Sequence, residues 1–162
     1  MVEEEVGKPL DEFESGCDLV KYIYDCLVAH DDAVNIAHVL HQNISSGWMF
    51  MFPDEVMYND GSKKWLWKGL LNDWELSEPI VQPGTAEDAQ RAGCIGTWQF
   101  MSTNILTVKS WPTIQDELES FFYVLLYFGV RYLKHNCVDI ANFIQDFFDG
   151  FTFMGDSAQP FE

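Results

Sequence analysis

The sequence predicts a mainly α-helical domain that carries one small β-hairpin, and three observations lead there. Apolar residues recur at helical spacing between Asp18 and Leu40, and a second stretch from Thr113 to Leu133 is apolar nearly all round. Between them, two short aromatic runs flank the turn-forming sequence Asn59-Asp60-Gly61. With 162 residues, 48% of them hydrophobic and 15% aromatic, the chain has material for one packed core, and its length suits a single domain.

In chain order, residues 1–17 form an acidic arm. Glu3, Glu4, Glu5, Asp11, Glu12 and Glu14 stand against Lys8, so the arm is expected to be solvated. From Asp18 the apolar positions Leu19, Val20, Ile23, Leu27, Val34, Ala37 and Leu40 predict one long helix, irregular near Asp31 and ending before His41. The runs WMFMF (48–52) and WLWKGLL (65–71) predict the two strands of the hairpin. Residues 76–97 hold Pro79, Pro83 and three glycines without any apolar period, which predicts a long irregular segment, and loops of that length are usually functional or mobile.

Residues 113–133 predict a central helix with Thr113 and Asp116 as cap candidates. Leu118, Phe121, Phe122, Leu125, Leu126 and Val130 cover more than one of its faces, so the helix is expected to be the buried stability core, Phe122 included. Residues 138–148 predict a last helix with Val138, Ala141, Ile144 and Phe148 on one face, and residues 151–162 a frayed tail. One globular unit, 18–150, thus lies between an arm and a tail.

Charge narrows the function. Nine Lys and Arg against 26 Asp and Glu give a formal charge of -17, which repels nucleic acid and anionic membrane surfaces, so neither is expected as a partner. No run of 18 apolar residues occurs, and the N-terminus is acidic where a signal or transit peptide would be basic, so the chain is expected to be intracellular. Cys17, Cys26, Cys94 and Cys137 include no C-x-x-C pair, which predicts reduced structural thiols rather than a zinc ribbon or a thioredoxin-type site. His30, His38, His41 and His135 form no recognised ligand pattern either.

Four motifs carry a resemblance. LHQNISSGWM (40–49), NDWEL (72–76), GTWQFMS (96–102) and DELESFFYVLL (116–126) occur in the order of a protein-kinase C-terminal lobe, and from about residue 18 to about 150 the sequence resembles the fungal-type protein kinase family. That resemblance implies a kinase-like C-lobe. It also implies roles by position: His41 and Gln42 stand in the catalytic loop, Asn43 at the place of the catalytic base, and Trp48 at the place of the Asn that holds a metal ion. An amide cannot take up a proton near neutral pH, and an indole has no acceptor for a cation. Asp73, in Asp73-Trp74-Glu75, matches the metal-binding Asp and is intact; its alternative role is to close the turn before Trp74. Gly96, Thr97 and Trp98 match the anchored end of the activation segment. Glu117 takes the place of the Asp that holds the catalytic-loop backbone, with Asp116 one residue earlier.

No Gly-rich loop, β3-type lysine or partner glutamate precedes residue 18, so the expectation is a C-lobe without its N-lobe in this chain. The function expected from this is that of a pseudokinase: catalytically inactive, without a cofactor, and acting as a protein-interaction module. A protein partner or a second copy would dock on the uncovered lobe face, where Trp48, Phe50, Trp65 and Trp67 are either exposed or packed on each other and on the N-terminal arm. The alternative is a serine/threonine kinase that uses Mg-ATP with an N-lobe supplied elsewhere. A small-molecule binding role near Asp73 and Trp74 has no positive support in the sequence.

Overall fold

The computed structural model describes residues 7–80, 96–108, 111–154 and 157–160. Helix α1 (Gly16–Asp32) begins where Ser15 Oγ accepts a hydrogen bond from Asp18 N at 3.2 Å. It runs on through a π-helical stretch, Ala33–Ala37, and stops at His38, whose φ of 56° is left-handed. The irregularity expected near Asp31 is thus one widened turn. Leu19, Tyr22, Ile23, Cys26 and His30 share the buried face, while Val20, read as part of the apolar period, points to solvent.

The hairpin joins β3 (Met49–Met57) to β4 (Lys63–Leu71) in antiparallel register, Phe50 opposite Leu70 and Glu55 opposite Trp65. Its turn closes by Gly61 N donating to Tyr58 O at 2.9 Å, with Gly61 at φ 80°, a conformation that favours glycine. A two-residue strand, β1 (Lys8–Pro9), adds to the other edge of β3, pairing with Met51 and Phe50. The arm is therefore not a solvated tail from Gly7 onward. Leu10 is 1% exposed and Phe13 packs edge-on against Phe128 and Tyr132, so these apolar side chains dock it while Asp11, Glu12 and Glu14 stay in water. Glu3, Glu4 and Glu5 lie outside the described residues.

The hairpin sits on α1 through Gly69. A Cβ built there would lie 1.9 Å from Tyr22 O, so only glycine lets the strand meet the helix backbone. Asp25 Oδ2 accepts from Gly69 N at 2.9 Å and Lys21 Nζ donates to Trp67 O at 2.6 Å, satisfying part of the outer edge of β4 with helix side chains. Beyond that contact the hairpin projects from the domain. Trp65 is 66% exposed and Trp67 is also exposed, whereas Trp48 and Phe50 are half-buried at its base, where Phe50 pairs with Pro9 of the arm, so each of the two readings holds for half of these aromatics.

A second two-stranded ladder pairs β2 (Val39–Leu40) with β5 (Glu78–Pro79), which gives order to the start of the segment read as irregular; residues 81–95 of that segment lie outside the described residues. After a single turn at Trp98–Phe100 come α2 (Thr103–Val108), α3 (Ile114–Tyr132) and α4 (Ile140–Phe147). Thr113 and Asp116 form a capping box at the start of α3, as their spacing suggests. At α4 the cap is Asp139, which accepts from Asn142 N, so the helix starts after Val138; that residue is 101% exposed, and the predicted apolar face is corrected to Phe143, Ile144 and Phe148. Residues 151–154 (β6) and 157–160 (β7) pair antiparallel where a frayed tail was expected.

The core gathers Leu10, Leu19, Ile23, Cys26, Met49, Leu71, Phe100, Phe121, Val124, Phe128 and Phe148. Among the described residues no helix is long and apolar enough to cross a membrane. Cys17, Cys26 and Cys137 are unpaired, and burial, with the charge of Asp25 adding to it, pushes the Cys26 thiol up to about 12. Helix α3 buries one face only: Phe121 is 2% exposed but Phe122 is 57% exposed, which overturns the expectation that Phe122 anchors the core. The cause is that α1, the Trp98 turn and α4 all pack on one side of a helix whose sequence is apolar on every side.

Phe121→Ala should therefore cost about 3–5 kcal/mol in urea unfolding, while Phe122→Ala should cost less than ~1 kcal/mol. Equal losses would contradict the one-sided burial of α3. Gly69→Ala should cost about 2–3 kcal/mol by forcing the hairpin off α1, and an unchanged midpoint would show that the close approach at Tyr22 is not tight.

Candidate functional site

The loop 41–48 is held by one carboxylate from α3. Glu117 Oε2 accepts from His41 N at 3.2 Å and Oε1 accepts from Gln42 N at 2.5 Å. On its other side His30 Nε2, from the last turn of α1, lies 2.5 Å from Glu117 Oε2, with both side chains buried. The longer side chain thus reaches the loop backbone that its position implies. Asp116 does different work: its carboxylate accepts from Thr113 N at 2.8 Å, Ser102 Oγ at 2.5 Å and Asn104 Nδ2 at 3.2 Å. Burial, the largest single influence, pushes its pKa up, and these bonds together outweigh it and hold the pKa below the ordinary carboxylate range.

His41 is enclosed. Its Nε2–H donates to Asn72 O at 2.8 Å, its Nδ1 accepts from Asn43 N at 3.2 Å, and its ring lies edge-on to Trp74, centroids 4.6 Å apart. Both ring nitrogens are thus assigned to the neutral Nε2–H tautomer. Burial lowers its pKa from 6.5, and the Asn72 carbonyl with the charges of Glu117 and Asp73 only partly opposes that shift.

Asn43, at the place of a catalytic base, uses its amide as a bridge. Nδ2 donates to Asp73 Oδ2 at 3.3 Å, and Oδ1 accepts from Thr97 Oγ1 at 3.3 Å. Loop, Asp73 turn and the Gly96–Trp98 segment are thereby joined through one neutral group. Gly96, at φ 123°, allows the join: a Cβ there would stand 3.0 Å from Gln42 O. Asp73 is left-handed at φ 63° and starts the turn Trp74–Leu76, so it serves the turn as well as facing Asn43. Trp48 contributes backbone: its N–H donates to Ser45 O and its carbonyl accepts from Asn72 N at 2.9 Å.

The residues present do not fit a magnesium–nucleotide centre. Asp73 is a single carboxylate already accepting an amide hydrogen, position 48 offers no lone pair, and no group of three His, Cys, Asp or Glu that could hold a metal occurs among the described residues. Behind Gln42 a cavity of about 190 Å³ is bordered by Leu40, Pro79, Ile80, Trp111 and Pro112 and has no charged lining residue.

The structure thus brings together His41, Gln42, Asn43, Asp73 and Thr97, while Trp48 stands with them through its backbone alone. His30 was missed by sequence reasoning. Its partner Glu117 is 87 residues away, and His30-Asp31-Asp32 reads only as an interruption of a helix.

A family model described as fungal protein kinase matches residues 1–128, a span that includes the loop, Asp73, Gly96–Trp98 and most of α3. No curated protein matches the chain, and no solved structure does.

A pH dependence follows from His41. Its folded-state pKa lies below the unfolded value, so the neutral ring contributes stability in full above about pH 6.5 and loses that contribution as pH falls through the folded value. The thermal midpoint should fall between about pH 6.5 and pH 5, and less steeply in His41→Leu. Identical slopes would remove His41 as the titrating group.

Proposed function

The chain belongs to the fungal protein kinase family, and from that premise we propose that it is a catalytically silent member whose domain acts through protein contacts. One observation carries this reading: at the position of the base stands an amide that donates to the one carboxylate left for a metal. A positioned general base is worth about 10²–10⁴-fold in rate, and Asn43 cannot accept a proton. Trp48 removes the second metal ligand at the same stroke. The order α1, loop, hairpin, Asp73 turn and α3, with Glu117 on the loop backbone, is compatible with the C-terminal lobe of a kinase.

The exposed hairpin supports the second half of the reading. Met57, Trp65, Leu66, Trp67 and Leu70 present apolar surface on an element that projects from the domain, a setting that marks interaction sites. A protein partner or another copy of the chain suits that face better than nucleic acid or an anionic bilayer, given the charge of -17.

Purified chain incubated with Mg-ATP and a generic protein acceptor should show no phosphoryl transfer, and Asn43→Asp should stay silent because position 48 still offers magnesium nothing. Transfer by the wild-type chain that disappears in Asp73→Ala would move the protein to the serine/threonine kinases and end the pseudokinase reading.

A further inference from the structure

We propose that the cavity behind Gln42 binds a small uncharged aromatic molecule that carries a hydrogen-bond donor and an acceptor side by side, as a carboxamide does. The space measures about 190 Å³ and lies between the β2–β5 ladder and the start of α3, walled by Leu40, Pro79, Ile80, Trp111, Pro112 and Ile114. An apolar cavity of ~150 Å³ is enough for one benzene ring. This one therefore takes a single ring with a short substituent, and Trp111 adds an aromatic side chain to the wall as a partner for a flat ligand.

Gln42 supplies the polar contact. It is 9% exposed and its backbone N–H is taken by Glu117, yet its side-chain amide makes no hydrogen bond among the described residues. Among those residues no sealed side-chain polar atom lacks a partner, so the unpaired amide is not shut in and opens on to reachable space. Gln42 also borders a second space of about 20 Å³, room for about one water, so a ligand is accommodated on the larger side. A glutamine amide offers an acceptor oxygen and a donor NH₂ group, and a ligand carboxamide answers it with the same pair reversed. A buried amide left unanswered is costly, which favours such a ligand over a plain hydrocarbon.

Charge is selected against. No charged residue lines the space among the described residues, so an ion would lose its water without meeting a counter-charge. An anion would also be repelled by a chain of -17. Neither Asn43 nor Asp73 lines the cavity, so the site stands apart from the bridge between them and is independent of whether the loop is catalytically silent.

Benzamide, benzoate and benzamidine share one shape and differ in charge, and titrating the full chain with each by ligand-observed NMR tests the proposal. Benzamide should bind with a Kd on the order of a millimolar, and the two ions about tenfold more weakly or worse. Gln42→Leu should weaken benzamide about tenfold while toluene binds as well or better, a split that loss of folding would not produce. Ile80→Trp should fill the cavity and abolish the binding of both, with helix content unchanged. No binding of benzamide by the wild type, equal binding of benzoate or benzamidine, or benzamide binding that either substitution leaves unchanged, overturns the proposal.

Discussion

Everything around the loop depends on the Glu117 carboxylate. It is buried, it accepts from two consecutive backbone N–H groups, and it meets His30 from α1. Immediately after these two N–H groups the chain turns at Gln42, whose φ is 64°. A left-handed residue other than glycine costs of order 1–3 kcal/mol. Charge-assisted hydrogen bonds are the class strong enough to offset that cost in a buried place.

His38, Gln42 and Asp73 are the non-glycine residues with positive φ among the described residues, and they border the same loop and turn. Strain of this kind persists where the surroundings over-determine it. Here they do: Glu117 fixes the loop from below, His41 ties it to Asn72, Asn43 ties it to Asp73 and Thr97, and Gly96 admits the neighbouring segment. The loop holds this shape with an amide at position 43 and an indole at position 48.

Local signals were legible in the sequence and one-sided burial was not. The Asn59-Asp60-Gly61 turn, the Thr113–Asp116 cap and the break after Asp31 each rest on residues adjacent in the chain, and each appears in the structure near its expected place. Phe121 and Phe122 are chemically identical neighbours; which one is buried is decided by α1 and α4, and no pattern within α3 distinguishes them. The docking of Leu10 was hidden by the acids around it, since charge content describes an arm on average and one leucine can fix it. At the site, the motif positions found His41, Asn43 and Asp73, while His30 was beyond reach because its meaning lies wholly in a distant partner.

The bridge from Asn43 to Asp73 also constrains which side chain position 43 can hold. An aspartate at position 43 would face the Asp73 carboxylate at the 3.3 Å now spanned by an amide hydrogen bond, with no cation between the two charges. Such a form carries a repulsion that the neutral amide avoids, so the side chain that position 43 can hold is set by its neighbour across the turn as much as by any chemistry of its own.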